Sequence, residues 1–301
     1  MAPNFTRIDA HQHFWEFRQT EYPWIDEHMR VLRQDWQPRT LLPELQAQRF
    51  GACIAVQART QSLETDYLLS LAARHDWIAA VVGWVDLRED GLAHRLEHWQ
   101  AQPKLRGFRH PLQDEPAAAA FMKDGRFRRG LEKLQAQGYV YDVLVRQNQL
   151  DDAVALCAEL DAHWMVLDHL GKPAIRVRAH DRQAWLSGIR PLRDMPHVVC
   201  KVSGLVTEAD QGAGMFDEGA IRRHLDGALQ VFGAERLMFG SDWPVCLLSA
   251  PFSRVCQIVS DWARSLSPSE QAALWGGTAA RTYALHPKAG VPFAAGVRSW
   301  I

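Results

Sequence analysis

The chain lacks an excess of charge of either sign: 34 Lys and Arg stand against 35 Asp and Glu, a formal net charge of −1. That balance excludes the basic footprint of a nucleic-acid binder and the polybasic patch of a membrane-surface protein. Long apolar runs are missing too, and none approaches the ~18–20 residues that a membrane helix requires. Cysteine is sparse and unpaired in pattern: Cys53, Cys157, Cys200, Cys246 and Cys256 form an odd set with no Cys-x-x-Cys. Reduced thiols are expected, and with no secretory signal pattern visible the expected compartment is the cytoplasm. No Gly-x-Gly-x-x-Gly or Gly-x-x-x-x-Gly-Lys motif follows any apolar run, which disfavours nucleotide-dependent redox or phosphoryl chemistry. Linkers, internal repeats and low-complexity tracts are also absent.

What is present is ordinary bulk and a regular rhythm. The 301 residues are 47% hydrophobic and 23% charged, a composition normal for an enzyme with a sizeable core. Short apolar runs at 7–10, 52–57, 79–85, 105–109, 139–143, 165–168, 198–202 and 237–240 alternate with longer amphipathic stretches. Several runs are rich in Val and Ile without polar alternation, as strands buried on both faces of a parallel sheet require. Helices are expected over 64–75, 149–162 and 218–232, and Ser267-Pro268 reads as a helix start. Eight strands alternating with helices predict an α/β fold, a (β/α)8 TIM-type barrel in one domain over 1–301 with a tail at 289–301; an open doubly wound sheet is the alternative. Phe14 to Pro43 is a long first connection rich in Trp, of the kind that builds a substrate site at the C-terminal face of a barrel. Of the 12 tryptophans, most belong to a core, with one or two free to stack on a carbohydrate-like ligand.

The chemistry gathers at the ends of these runs. His11-Gln12-His13 closes the first, and two residues two positions apart on a strand project to the same side. Arg109-His110, Asp142, Asp168-His169, Lys201 and Ser241-Asp242 each end or lie in later runs. In a barrel these ends converge on one pocket. His11, His13, His169 and Asp242 would then form a set of three imidazoles and one carboxylate, able to hold one divalent metal or to polarise a carbonyl. Bland readings stand beside each: a strand-capping His169, an Asx turn at Asp242 ahead of Pro244, an internal salt bridge from Arg109 to an acid such as Asp142. A lysine in an apolar strand either faces the pocket or is paired, and Lys201 is expected to assist catalysis.

The stretches Ile8-Asp9-Ala10-His11-Gln12-His13-Phe14-Trp15, Gly107-Phe108-Arg109-His110, Leu167-Asp168-His169-Leu170-Gly171-Lys172-Pro173, Lys201-Val202-Ser203-Gly204-Leu205 and Phe239-Gly240-Ser241-Asp242-Trp243-Pro244 run in order over nearly the whole chain. They resemble the amidohydrolase superfamily, specifically amidohydrolase-related family 2 and its sugar-lactonase branch of L-fuconolactonases and L-rhamnonolactonases, and more distantly the 2-pyrone-4,6-dicarboxylate lactonases. The resemblance implies a barrel hydrolase that opens the ester ring of an aldonolactone. It gives the metal-binding or carbonyl-polarising role to His11, His13 and His169, and the water-activating role to Asp242. Asp242, His169 and Lys201 are thus the expected catalytic residues; Arg109, His110, Trp15, Tyr141 and Trp243 are the expected substrate contacts. The fifth run offers Asp142 and no lysine, so the implied cofactor is at most one divalent ion, Zn or Mn, and a metal-free reaction stays open. The expected partner is a small molecule, with no nucleic acid or membrane, and barrels of this kind often form homodimers. Two other readings use the same residues: a decarboxylase of an aromatic acid, and a non-catalytic sugar-acid binding protein.

Overall fold

A computed structural model describes residues 6–175, 179–212 and 214–285. The expected tail at 289–301 lies outside them. Eight strands, β1 (Arg7–Gln12), β2 (Phe50–Val56), β3 (Ile78–Gly83), β4 (Leu105–His110), β5 (Val140–Val143), β6 (Met165–Leu167), β7 (Val198–Val202) and β8 (Leu237–Phe239), pair in parallel in chain order. A helix follows each: α1 (Pro38–Ala47), α2 (Glu64–Arg74), α3 (Leu92–Trp99), α4 (Gly125–Ala136), α5 (Leu150–Glu159), α6 (Ala179–Ile189), α7 (Glu218–Phe232) and α8 (Phe252–Ala263). The ring is completed beyond the end of β8, where the Asp242 N–H donates to the His11 carbonyl (2.8 Å) and the His13 N–H to the Trp243 carbonyl (2.8 Å). The architecture is the (β/α)8 barrel, and the open sheet is excluded. No helix among the described residues is long and apolar enough to cross a membrane.

Side-chain alternation splits the core in two. One set of strand residues, among them Ile8, Ala10, Ile54, Val56, Ala80, Val82, Val140, Val166, Val199 and Met238, fills the barrel interior. Residues of the opposite parity, such as Cys53, Val81, Phe108, Tyr141, Leu167, Cys200 and Phe239, pack with the helices outside. Both sets are apolar, which is why the strands read as continuous apolar runs.

Local chemistry explains the helix ends. α5 opens with Asp151 and Asp152 in its first turn, where the helix dipole favours negative charge. It is shorter than expected, stopping at Glu159. α7 ends at Gly233, whose φ of 66° suits a residue without a side chain. Ser267 and Glu270 form a reciprocal capping box ahead of the turn Pro268–Ala272. The first connection is also shorter than expected. Pro38 sits in the first turn of α1, where its missing N–H costs nothing, so the loop ends at Gln37 and Pro43 lies inside the helix.

The last described segment crosses the N-terminal ends of the strands. Thr278 Oγ1 donates to the Glu235 carbonyl (2.9 Å), just ahead of β8, and Arg281 lies over the Trp164 ring, just ahead of β6. Gly276 meets the Thr6 backbone so closely that a Cβ there would stand 2.3 Å from the Thr6 carbonyl oxygen. A backbone oxygen cannot swing away as a flexible side chain can. Gly276→Ala should therefore lower the stability measured by chemical denaturation by about 1–3 kcal/mol, the usual cost of overpacking.

Candidate active site

The β1 register carries the first surprise of the site. Ile8 and Ala10 point into the barrel, so strict alternation would send His11 outward. Between Asp9, opposite Cys53, and Gln12, opposite Ala55, β1 spends one residue more than β2. This bulge turns His11 inward and Gln12 outward, where its amide donates to Cys53 Sγ (3.2 Å). Asp9 pins the turn. Its Oδ1 accepts from the His11 N–H (3.2 Å) and the Ser241 N–H (2.8 Å), and its Oδ2 accepts from Ser241 Oγ (2.6 Å). One buried carboxyl thus ties β1 to the loop that carries Asp242. Burial pushes its pKa up to about 7 against the pull of the Ser241 hydrogen bonds.

His11, His13, His169 and Asp242 come together as expected. His11 Nε2 lies 3.2 Å from His13 Nε2 and 3.8 Å from Asp242 Oδ1, and His13 Nε2 lies 3.5 Å from the same oxygen. Ligand atoms of His11, His169 and Asp242 all fall within 4.8 Å of one another. Two of these residues occupy left-handed backbone, His169 at φ 53° and Asp242 at φ 60°. Such conformations cost energy for residues with a side chain and persist where the surroundings impose them. Two glycines leave the room. A Cβ at Gly240 would stand 2.5 Å from His11 Cβ, and one at Gly204 2.8 Å from His169 Nδ1.

Each imidazole turns its Nδ1 to a neighbour and its Nε2 to the centre. His13 Nδ1 bonds the Val56 carbonyl (2.8 Å), His169 Nδ1 bonds Ser203 Oγ (2.9 Å), and His11 Nδ1 lies 3.4 Å from Asp168 Oδ1. A carbonyl accepts only, so His13 Nδ1 carries a proton; at His11 the Arg109 Nη1 donor 3.2 Å from Nε2 makes that nitrogen the acceptor. His11 Nε2 and His13 Nε2 stand 3.2 Å apart, a spacing that a shared cation would satisfy from both sides. Two ligands on a tetrahedral zinc stand roughly 3.3 Å apart, close to the spacing seen. The ligand atoms of His11, His169 and Asp242 therefore fit one divalent ion, with His13 Nε2 beside them.

The electrostatics agree. Burial holds the His11 pKa well below the ordinary value, and it lowers His169 to about 4 despite the opposing pull of Asp242 and Asp168. Both are neutral ligands at neutral pH. Burial alone would raise Asp242, but His169, His13 and His11 outweigh it and hold the carboxyl well below the usual range. Beneath this layer Asp168 faces two cations: Arg109 Nη1 donates to its Oδ2 (2.9 Å) and Lys201 Nζ lies 3.1 Å from its Oδ1. Lys201 also pairs with Asp142.

Several expected contacts are corrected. Lys201 is fully buried and is held between the two acids Asp142 and Asp168. Arg109 borders the site at 3.2 Å from His11 Nε2, but its salt bridge runs to Asp168, not Asp142, and Gln57 accepts from its other nitrogens. His110 alternates to the outer face, where its ring stacks on Phe121 (4.8 Å) and its Nε2 meets Glu115 (2.7 Å). Tyr141 likewise faces outward against Phe127. Trp15 donates its indole N–H to the Gln34 carbonyl (2.9 Å) and packs on Tyr22 and Trp24. The Trp243 ring packs between Phe14 and Trp36. Trp15 and Trp36 thus belong to the packing of the first connection, and Trp243, from the loop after β8, joins them. Conversely, Asp9, Gln57 and Ser203 do work that the sequence reading passed over. Their signal is weak but present: Asp9 is an acid inside an apolar run two residues before His11, and Gln57 and Ser203 follow strand ends as His13 does.

Comparison with known proteins places this geometry. The family model described as amidohydrolase matches residues 8–285. The chain is 55% identical to an L-fucono-1,5-lactonase of Burkholderia multivorans over 93% of this chain and 96% of that protein. An L-fucono-1,5-lactonase of Burkholderia ambifaria is 31% identical over 94% and 97%. A crystal structure of an amidohydrolase from Burkholderia multivorans with bound zinc superposes with a TM-score of 0.91 at 54% identity, covering 93% of this chain and all of that one.

Protonation of a ligand nitrogen competes with a metal ion. The part of the Zn²⁺ affinity that depends on His169, taken as the difference between the wild type and His169→Ala in competition with a chromophoric chelator, should persist through the ordinary imidazole value of 6.5 and fall only as pH approaches about 4. A loss of that part centred on 6.5 would show that burial does not depress His169.

Proposed function

Since the chain belongs to the amidohydrolase family, we propose that it is a hydrolase acting on carboxylic ester bonds, opening the ring of a sugar lactone such as L-fuconolactone or L-rhamnonolactone. The observation that carries this reading is the gathering of His11, His169 and the Asp242 carboxylate within 4.8 Å of one another, with His13 Nε2 3.2 Å from His11 Nε2 and 3.5 Å from Asp242 Oδ1, in a chain similar end to end to an L-fucono-1,5-lactonase.

His11, His13, His169 and Asp242 would hold a divalent ion, which when bound supplies Lewis-acid polarisation of the carbonyl and acidifies water. Asp242, ionised at neutral pH, takes a proton from the water whose oxygen attacks the lactone carbonyl carbon. The tetrahedral oxyanion lies against the imidazoles, with the Arg109 guanidinium, 3.2 Å from His11 Nε2, as the nearest fixed positive charge. As the ring C–O bond breaks, Asp242 returns the proton to the leaving oxygen. The product is an open-chain aldonic acid. Asp168, between Arg109, Lys201 and His11, keeps His11 turned toward the centre.

Proton release across a panel of five- and six-membered sugar lactones, with and without chelator, tests the reading directly. Turnover lost on chelation and restored by Zn²⁺ or Mn²⁺ is expected. Release of CO2 from an aromatic acid, with no lactone turned over, would transfer the site to decarboxylation. Asp242→Asn should keep the fold, seen by circular dichroism, and lose about 10²–10⁴-fold in kcat, the contribution of a placed general base; an active variant would remove Asp242 from that role.

A further inference from the structure

The barrel interior holds a phenol that the proposed reaction does not use. Tyr283 follows the turn Thr278–Thr282 and is 1% exposed among Ile8, Val140, Val199 and Met238. Its hydroxyl donates to Asp142 Oδ1 (2.7 Å). The other oxygen of Asp142 pairs with Lys201, whose Nζ lies 3.1 Å from Asp168 Oδ1. That same oxygen lies 3.4 Å from His11 Nδ1. A continuous polar line therefore runs along the barrel axis, from the segment crossing the N-terminal ends of the strands to the imidazole at their C-terminal ends. Around Tyr283 the interior is lined by aliphatic side chains, among them Ile8, Val140, Val166, Val199 and Met238. No water-like compensation is on offer to a carboxylate that loses its donor.

We propose that Tyr283 is a positioning residue for the metal-binding imidazole His11, acting through Asp142, Lys201 and Asp168. The physical logic is a competition for one cation. Lys201 sits between two acids, and how firmly it is drawn to Asp142 sets what it leaves for Asp168. The Tyr283 hydroxyl holds Asp142 in place by occupying Oδ1. Without it, Asp142 has an orphan oxygen in an apolar pocket and relieves that by rotating or taking up a proton. Lys201 then falls wholly to Asp168, which loosens the hold of Asp168 on His11 Nδ1 and so the aim of His11 Nε2. Burial and the charge of Asp142 push the Tyr283 pKa well up, so the phenol stays a donor across the working range.

The kinetic part of the test rests on the proposed lactone reading; the metal part does not. Tyr283→Phe keeps the ring and removes only the hydroxyl. The expected result is a Zn²⁺ dissociation constant weakened about tenfold, the lower end of losses from groups that orient metal ligands, with kcat reduced and KM nearly unchanged. In ¹⁵N-histidine spectra of the metal-free protein, the His11 ring resonances should move while those of His13, held by the Val56 carbonyl, stay. Tyr139→Phe, which trims a buried ring on the outer face against Phe108, is the control and should change none of these. Should Tyr283→Phe not fold, Asp142→Asn removes the charge that draws Lys201 and is expected to weaken Zn²⁺ in the same way. A variant that matches the wild type in Zn²⁺ affinity and His11 resonances overturns the proposal. A wild type that turns over no lactone while Tyr283→Phe still weakens Zn²⁺ sinks the lactone reading and leaves the positioning role standing.

Discussion

Charge inside a closed sheet has to be answered by charge, and Asp168 is where this barrel answers it. Its two oxygens face Arg109 from β4, Lys201 from β7 and His11 from β1, all of them buried. Burial would raise the Asp168 carboxyl, but Lys201, His11 and Arg109 together hold it well below its ordinary value. An acid with fewer partners is held less low in this setting. Asp142, with the charge of Lys201 and a single phenol, is pushed by burial up to about 6. The contrast shows what the strand ends achieve together: three strands bring their charges to one carboxylate, and that fixed ion then orients an imidazole.

The geometry above Asp168 depends on small departures from regular structure. The β1 bulge, the left-handed residues His169 and Asp242 and the close approaches at Gly204 and Gly240 each break local preference. They lie together at the C-terminal end of the sheet. Strain of this sort is held by over-determined surroundings, and Asp9 supplies much of that hold by bonding both the His11 and Ser241 backbone. The aromatic first connection packs over the same end through Trp15, Trp36, Phe14 and Trp243.

Most of the architecture was legible because a parallel barrel writes its pattern locally. Strands buried on both faces must be apolar throughout, helices must cap and stop, and each expected run coincides with a strand to within a few residues. The four central residues were legible for a related reason: strand ends converge in a barrel, so a histidine or aspartate at such an end has few other places to go.

What the sequence could not decide was orientation. Arg109 and His110 are neighbours on one strand, yet one enters the barrel and the other stacks on Phe121, because side chains alternate and the phase of each strand is set by its pairing with its neighbours. The partner of Arg109 depended on whether β5 or β6 brings its acid within reach, a question of strand stagger that no local pattern records. Tyr283 was invisible on the same grounds: it joins the polar line from 141 positions beyond Asp142, and only closure of the barrel brings the two together. The sequence by itself determined which residues are apolar, which are charged and where strands end. Tertiary structure alone decided which of the charged ones face each other, since that depends on register, bulge and closure, all of them properties of pairs of distant segments.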